Sequence, residues 1–175
     1  MTPEARPAAP VIRAATRADA AAVAEIYRPI VTDTPISFEL EPPGAAEMAE
    51  RIENVSETHV WLVAEADGGL AGYAYGTAHR ARPAYRFATE TAVYISAAHR
   101  GRGIARQLYD ALFPRLAARG YYNAYAGVVV PNDASEALHR AVGFKRIGVF
   151  PAVGYKFGEW HDVSWWHRKL RNDSP

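Results

Sequence analysis

The chain of 175 residues contains no cysteine. That excludes thiolate catalysis, disulfides and cysteine-based zinc sites, and it leaves a cytoplasmic address unopposed. No apolar run approaches the roughly 18 residues of a membrane-spanning helix, and residues 1–10 lack the apolar centre of a signal peptide. Net charge is nearly absent as well, at +1 with neutral histidines, so there is no global field for holding nucleic acid or an anionic membrane. Basic function must be local. What the chain does have is 49% hydrophobic residues, enough for one compact domain with a sizeable core. Pro3, Pro7 and Pro10 among alanines read as a frayed leader over residues 1–10, followed by a single domain over 11–170 and a tail over 171–175.

The local basic feature lies in the stretch Glu90 to Gly120. An extended run, Glu90-Thr91-Ala92-Val93-Tyr94-Ile95-Ser96, meets the loop His99-Arg100-Gly101-Arg102-Gly103 and then a helical pattern. Orphan backbone N–H groups and the positive end of a helix there face whatever the loop holds, and an anion suits both. Gly101 and Gly103 let the backbone approach a ligand without a Cβ in the way, and Arg100 and Arg102 add charge. Neither a dinucleotide fingerprint nor a Walker loop is present.

Around this stretch the pattern alternates between strands and helices. Val11 to Ala14 reads as a strand, and Thr16 with Asp19 as a capping box opening a helix that carries Ala20, Val23, Ile26, Tyr27 and Ile30. Pro29 is expected to disturb its last turn and Pro35 to forbid continuation. Thr32 to Pro43 reads as loop, with Phe38 as an apolar anchor. A second helix is expected over Gly44 to Glu57, then strands His59 to Ala66 and Leu70 to Ala78 around the turn Asp67-Gly68-Gly69. On the next strand, Thr89 to Ser96, Val93 and Ile95 share the core face, while Glu90, Ala92, Tyr94 and Ser96 share the other. The helix Ile104 to Arg119 is capped by Gly120, and Pro114 predicts a kink or an early 3₁₀ end in it. A strand Tyr122 to Val130, a helix Asp133 to Val142 and closing strands Phe144 to Phe150 and Trp160 to Leu170 complete a mixed α/β sheet, with Val153 and Tyr155 in a late loop.

Several motifs converge on one family. Arg100-x-x-Gly103-x-Ala105 after Val93-Tyr94-Ile95, Pro131-Asn132-Asp133 after a strand, Leu138-His139-x-x-x-Gly143-Phe144, and Gly154-Tyr155-Lys156-x-Gly158-x-Trp160-His161-Asp162-Val163 resemble the GNAT acetyl-CoA-dependent N-acetyltransferases. Within them the resemblance is to the phosphinothricin and methionine sulfoximine acetyltransferase branch, from about Ile12 to Leu170. It implies the GNAT fold, a single mixed, largely antiparallel twisted sheet flanked by helices. It implies acetyl-CoA as co-substrate, no metal, a small anionic amino-acid acceptor, a homodimer and a role in herbicide or antibiotic detoxification.

The resemblance also distributes roles. The backbone of Val93, Tyr94 and Ile95 is expected to hold the pantetheine arm and give an N–H to the thioester oxygen. Arg100, Gly101, Arg102, Gly103, Ile104 and Ala105 are expected to hold the pyrophosphate, and Asn132 and Ser135 to meet the coenzyme. Asn132 also suits a plain helix N-cap. Glu90 matches the glutamate proposed as base in that branch, acting through water, and a base is needed because an amine is protonated at neutral pH. His139 stands where many relatives place a tyrosine acid, and its role as base, acid or orienter is open. Phe38, Arg80, Arg82, Tyr85, Tyr94 and Val163 are the expected acceptor contacts, since arginine grips oxyanions bidentately. Arg80 replaces the usual lysine and Ala92 the usual hydroxyl residue of the branch. Acetylation of peptide N-termini or polyamines, and non-catalytic sensing of acyl-CoA, are the competing readings. His161, Asp162 and His167 on a strand do not assemble a metal site.

Overall fold

A computed structural model describes residues 9–175. Residues 1–8, which hold most of the expected frayed leader, lie outside the described residues. The strands are β1 (Val11–Ala14), β2 (Trp61–Ala66), β3 (Gly69–Ala78), β4 (Ala88–Ile95), β5 (Asn123–Val130), β6 (Lys145–Lys156) and β7 (Glu159–Lys169). The helices are α1 (Ala20–Asp33), α2 (Ala45–Thr58), α3 (Ile104–Ala118) and α4 (Asp133–Ala141). They form one mixed sheet in the order β1-β2-β3-β4-β5-β7-β6, antiparallel at every pair except β4 and β5.

Strand alternation sends side chains to two cores. Leu108, Leu112, Phe113 and Leu116 of α3 pack with Val128, Phe144 and Trp166 on one face, and Val93 and Ile95 of β4 join them. On the other face, Val23, Tyr27 and Ile30 of α1 and Met48 and Ile52 of α2 pack on Trp61, Val63 and Tyr73, joined by Tyr94. The expected two-sided reading of β4 holds.

The capping box at Thr16 and Asp19 is formed, opening a 3₁₀ turn that leads into α1, and Arg13 grips Asp19 with two N–H bonds of 2.7 and 2.8 Å. Neither the disturbed last turn expected at Pro29 nor the early 3₁₀ end expected at Pro114 is seen. The chain runs helically through Pro29 to Asp33 and through Pro114 to Ala118. A proline costs a helix about 3 kcal/mol, but Ile30 and Val31 after the first and Leu116 after the second are buried, and that burial offsets it. A third correction concerns the late loop. Val153 and Tyr155 lie within β6, which continues past an irregularity after Phe150 and pairs Tyr155 with Trp160.

The loop from Thr34 to Pro43 is tied down by polar contacts. The Tyr27 hydroxyl is 2.6 Å from Ser37 Oγ and donates to Glu39, whose carboxylate takes both ends of the Arg51 guanidinium. From the far end of β6, the buried Lys156 ammonium donates to the carbonyls of Val31 and Ser37, each at 2.7 Å. Leu116→Ala, at the centre of the α3 packing, is expected to lower unfolding free energy by about 2–5 kcal/mol in urea titrations.

Candidate active site

The site begins where a ladder ends. β4 and β5 pair at Ala88 with Asn123, Thr89 with Ala124 and Glu90 with Tyr125, and no further. Beyond that point β4 stays laddered to β3 as far as Ile95, and β5 to β7 as far as Val130. The two facing edges diverge around a cleft lined by Ala92, Val93, Tyr94, Gly127, Asn132 and His139, with Thr91, Tyr109 and Ser135 beside them. Unpaired backbone N–H and C=O groups on such edges need partners, and a ligand arm carrying amides can supply them.

At the mouth of the cleft the glycine loop has the geometry its sequence predicts. Gly101 and Gly103 both adopt φ of +74°, the left-handed region, and a Cβ on either would meet no atom within 4 Å. Gly103 caps α3, so the first-turn N–H groups of Ile104 and Ala105 lack helical partners and point outward. The Ile104 side chain itself is buried in the core. The two arginines differ. Arg102 is bound to Asp67 of the β2–β3 turn, which also lies 3.3 Å from His99 Nε2, whereas Arg100 is exposed and makes no ion pair among the described residues.

Asn132 does cap α4, accepting the Ser135 N–H at 3.1 Å, and it lines the cleft together with Ser135 and His139, as the spacing predicts. His139 is 4% exposed. Its Nδ1 is 2.7 Å from the Ser135 carbonyl, an acceptor, so Nδ1 carries the proton and Nε2 has the lone pair, 3.3 Å from the Tyr109 hydroxyl. Burial pushes the His139 imidazole below its ordinary range and pushes the Tyr109 phenol up. Tyr109 was not anticipated, because a buried aromatic in a helical stripe looks like any core residue.

Glu90 lies on the opposite face of the sheet from His139. Its Oε1 is 2.8 Å from His79 Nδ1 and 3.6 Å from Arg80 Nη1. The Tyr85 ring meets His79 edge-on, so Arg80 and Tyr85 are brought to the glutamate. Arg82 stands exposed at the start of a 3₁₀ turn, Pro83–Tyr85, with no ion pair among the described residues. His79 was missed as a site residue, although it opens the stretch that carries the arginines.

Phe38 and Val163 line a second cavity, of about 260 Å³, with Ile36, Val129, Phe150 and Trp165. It shares Ile36, Gly127 and Val129 with the cleft. Gly154 packs so closely on the Phe38 ring that a Cβ there would overlap it. Ile36 and Trp165 had no sequence signal beyond being apolar. His161 bonds the Lys156 carbonyl and His167 bonds Asn123 Oδ1, and among the described residues no three His, Asp or Glu side chains gather as for a metal. No helix among them is long and apolar enough to cross a membrane.

Residues 12–165 match the Acetyltransferase (GNAT) domain family. The chain belongs to the GNAT acetyltransferases. As a member of that family it is an acetyl-CoA-dependent N-acetyltransferase, and the open β4 edge with its glycine loop fits that co-substrate. The phosphinothricin N-acetyltransferase of Streptomyces viridochromogenes is 38% identical over 175 residues, covering 100% of this chain and 94% of that protein. An L-methionine sulfoximine/L-methionine sulfone acetyltransferase of Salmonella typhimurium is 32% identical over 91% of this chain and 94% of its own length. Among solved structures, a GNAT superfamily phosphinothricin acetyltransferase from Sinorhizobium meliloti in complex with acetyl-CoA superposes with a TM-score of 0.88 at 37% identity, covering 93% of this chain and 89% of that one.

Two buried histidines and the half-buried His167 give this GNAT domain a signed pH dependence. An unfolded histidine takes a proton near pH ~6.5, whereas burial holds His139, His59 and His167 below that in the folded chain. The unfolded state then binds more protons, so stability is complete above about pH 6.5 and falls as pH drops through it. Thermal melts across this range are expected to show that fall, and a shallower one in His139→Gln.

Proposed function

We propose that this enzyme transfers the acetyl group of acetyl-CoA to the α-amine of a small amino acid of the phosphinothricin, methionine sulfoximine or methionine sulfone type, with Glu90 providing the base. The observation that carries the reading is the place of Glu90. It is the last β4 residue laddered to β5, directly before the cleft-lining Thr91 and Ala92, and strand alternation puts its side chain on the face that also carries the Phe38 and Val163 cavity. The amine must lose a proton before it attacks a thioester, and a carboxylate at that point is positioned to take it. Arg80, 3.6 Å from Glu90, would meet an oxidised phosphorus or sulfur side chain or the α-carboxylate.

On the coenzyme side, the backbone of Val93 to Ile95 would bond the pantetheine arm and offer an N–H to the thioester oxygen. The first turn of α3 with Arg100 would hold the pyrophosphate. His139, neutral and joined to Tyr109, would act on the leaving thiolate's side of the sheet. Acetylation of peptide N-termini fits less well, because Phe38, Phe150 and Trp165 wall the acceptor cavity.

The enzyme would work in the cytoplasm as a homodimer. β6 is an edge strand, and Ile147, Val153, Tyr155, Phe157 and Trp160 of the β6–β7 hairpin are 50–64% exposed, an apolar surface that a second copy would cover. Sedimentation is expected to give the mass of two chains, and the double substitution Ile147→Glu with Tyr155→Glu the mass of one. A wild-type mass of one chain at assay concentration would remove the dimer.

Release of coenzyme A can be followed with a thiol-reactive dye, because the protein has no thiol of its own. Rapid release is expected with phosphinothricin, methionine sulfoximine or methionine sulfone, and little with peptides, polyamines or ordinary amino acids. Glu90→Gln should lower kcat by about 100-fold or more. Release with peptides alone would replace the acceptor reading, and wild-type turnover in Glu90→Gln would remove the base.

A further inference from the structure

We propose that the base is a pair, in which Nε2 of His79 takes the proton of the acceptor's ammonium while the Glu90 carboxylate fixes the ring and carries the countercharge. This rests on the acetyl-transfer reading above and refines which atom of that site receives the proton. The geometry follows from one hydrogen bond. An ionised carboxylate only accepts, so the 2.8 Å contact with Glu90 Oε1 places the ring proton on Nδ1 of His79 and leaves the lone pair on Nε2. Among the described residues no protein group bonds Nε2.

Three aromatic rings hold the imidazole. It stacks on Tyr125 at 4.8 Å and 20°, and meets Tyr85 and Trp165 edge-on at 5.6 and 6.3 Å. Trp165 lines the acceptor cavity, so His79 touches both the carboxylate and the wall of the place the amine would occupy. The ionisable groups around it are Glu90, Arg80 beyond Glu90, the phenols of Tyr85 and Tyr125, and His167 packed at 5.0 Å on the far side of Tyr125. A base joined to an orienting carboxylate through its second nitrogen is the arrangement that activates nucleophiles on unrelated folds.

The step balances without a further reactant. The ammonium N–H bond breaks and its electron pair stays on nitrogen. An Nε2–H bond forms, and the positive charge moves from ammonium to imidazolium, next to the carboxylate. The side chain is 15% exposed, which lets water remove the proton afterwards.

The test compares His79→Asn with Glu90→Gln in the coenzyme A release assay, using the amino acid that wild type acetylates fastest. Asn can keep the bond to Glu90 but has nothing in place of Nε2. It is expected to lower kcat by about 100-fold with the KM for acetyl-CoA unchanged and a melting curve close to wild type. If His79→Asn unfolds, His79→Ala assayed with added imidazole serves instead, and a rate that climbs with imidazole concentration supports the pair. A His79→Asn kcat within about threefold of wild type, with Glu90→Gln still inactive, means that Glu90 acts alone; this sinks the inference and leaves the acetyl-transfer reading in place. No rise with imidazole in His79→Ala sinks it equally. Failure of wild type to release coenzyme A with any amine removes the reading beneath, and the inference with it.

Discussion

The parallel ladder between β4 and β5 lasts for three residue pairs, and the layout of the site depends on its ending there. A fully paired sheet would satisfy its own backbone and leave no polar edge for a ligand. Here β3 holds β4, and β7 holds β5, on their outer edges. The inner edges are thereby fixed while facing each other unpaired. Small residues at the opening, Ala92 on one edge and Gly127 on the other, keep side chains from filling the gap. Both outer ladders are anchored by large buried side chains, Tyr73 on β3 and Trp166 on β7, and the Thr91 hydroxyl, which donates to the Tyr125 carbonyl at 3.4 Å, ties β4 to β5 where the ladder ends.

An opening through a sheet reaches both faces, and the chain uses strand alternation to separate its chemistry between them. Odd-numbered β4 residues join the α3 face, where Thr91 and Val93 lie near His139 and Tyr109. Even-numbered ones, Glu90, Ala92 and Tyr94, join the face of α1, α2 and the loop bearing Ile36 and Phe38. Glu90 and His139 therefore stand on opposite faces of the sheet and do not compete for one position. The environments differ in the same sense. His139 is buried, which pushes its imidazole below the ordinary range, and its Nδ1 faces the Ser135 carbonyl. The Glu90 and His79 pair is partly open to water and flanked by an arginine.

Much of this was legible in the sequence because it is local. Alternation along β4, the glycines at positive φ, the Thr16 and Asp19 box and the Asn132 cap all depend on residues a few positions apart, and each formed as its spacing requires. The two prolines misled for the opposite reason. Propensity counts a lost N–H bond, but the burial of Ile30, Val31 and Leu116 against distant strands decides the outcome. Contacts between distant segments left no trace either. Nothing in the β2–β3 turn announces that Asp67 will hold Arg102, and nothing near Tyr109 marks it as a partner of a histidine thirty residues later.

Lys156 shows how such long-range contacts join parts that look separate along the chain. Its ammonium is buried, with its pKa lowered by that burial, and is satisfied by the carbonyls of Val31 and Ser37. An amine in that position must keep both acceptors, because an unpaired buried cation is costly. The loop of Ile36 and Phe38 is therefore bound to the end of β6, and the contact of Gly154 with the Phe38 ring binds it a second time. Since β6 is also the edge strand that carries the exposed apolar side chains, the loop that walls the Phe38 cavity is tied to the outermost strand of the sheet, although more than a hundred residues separate them in sequence.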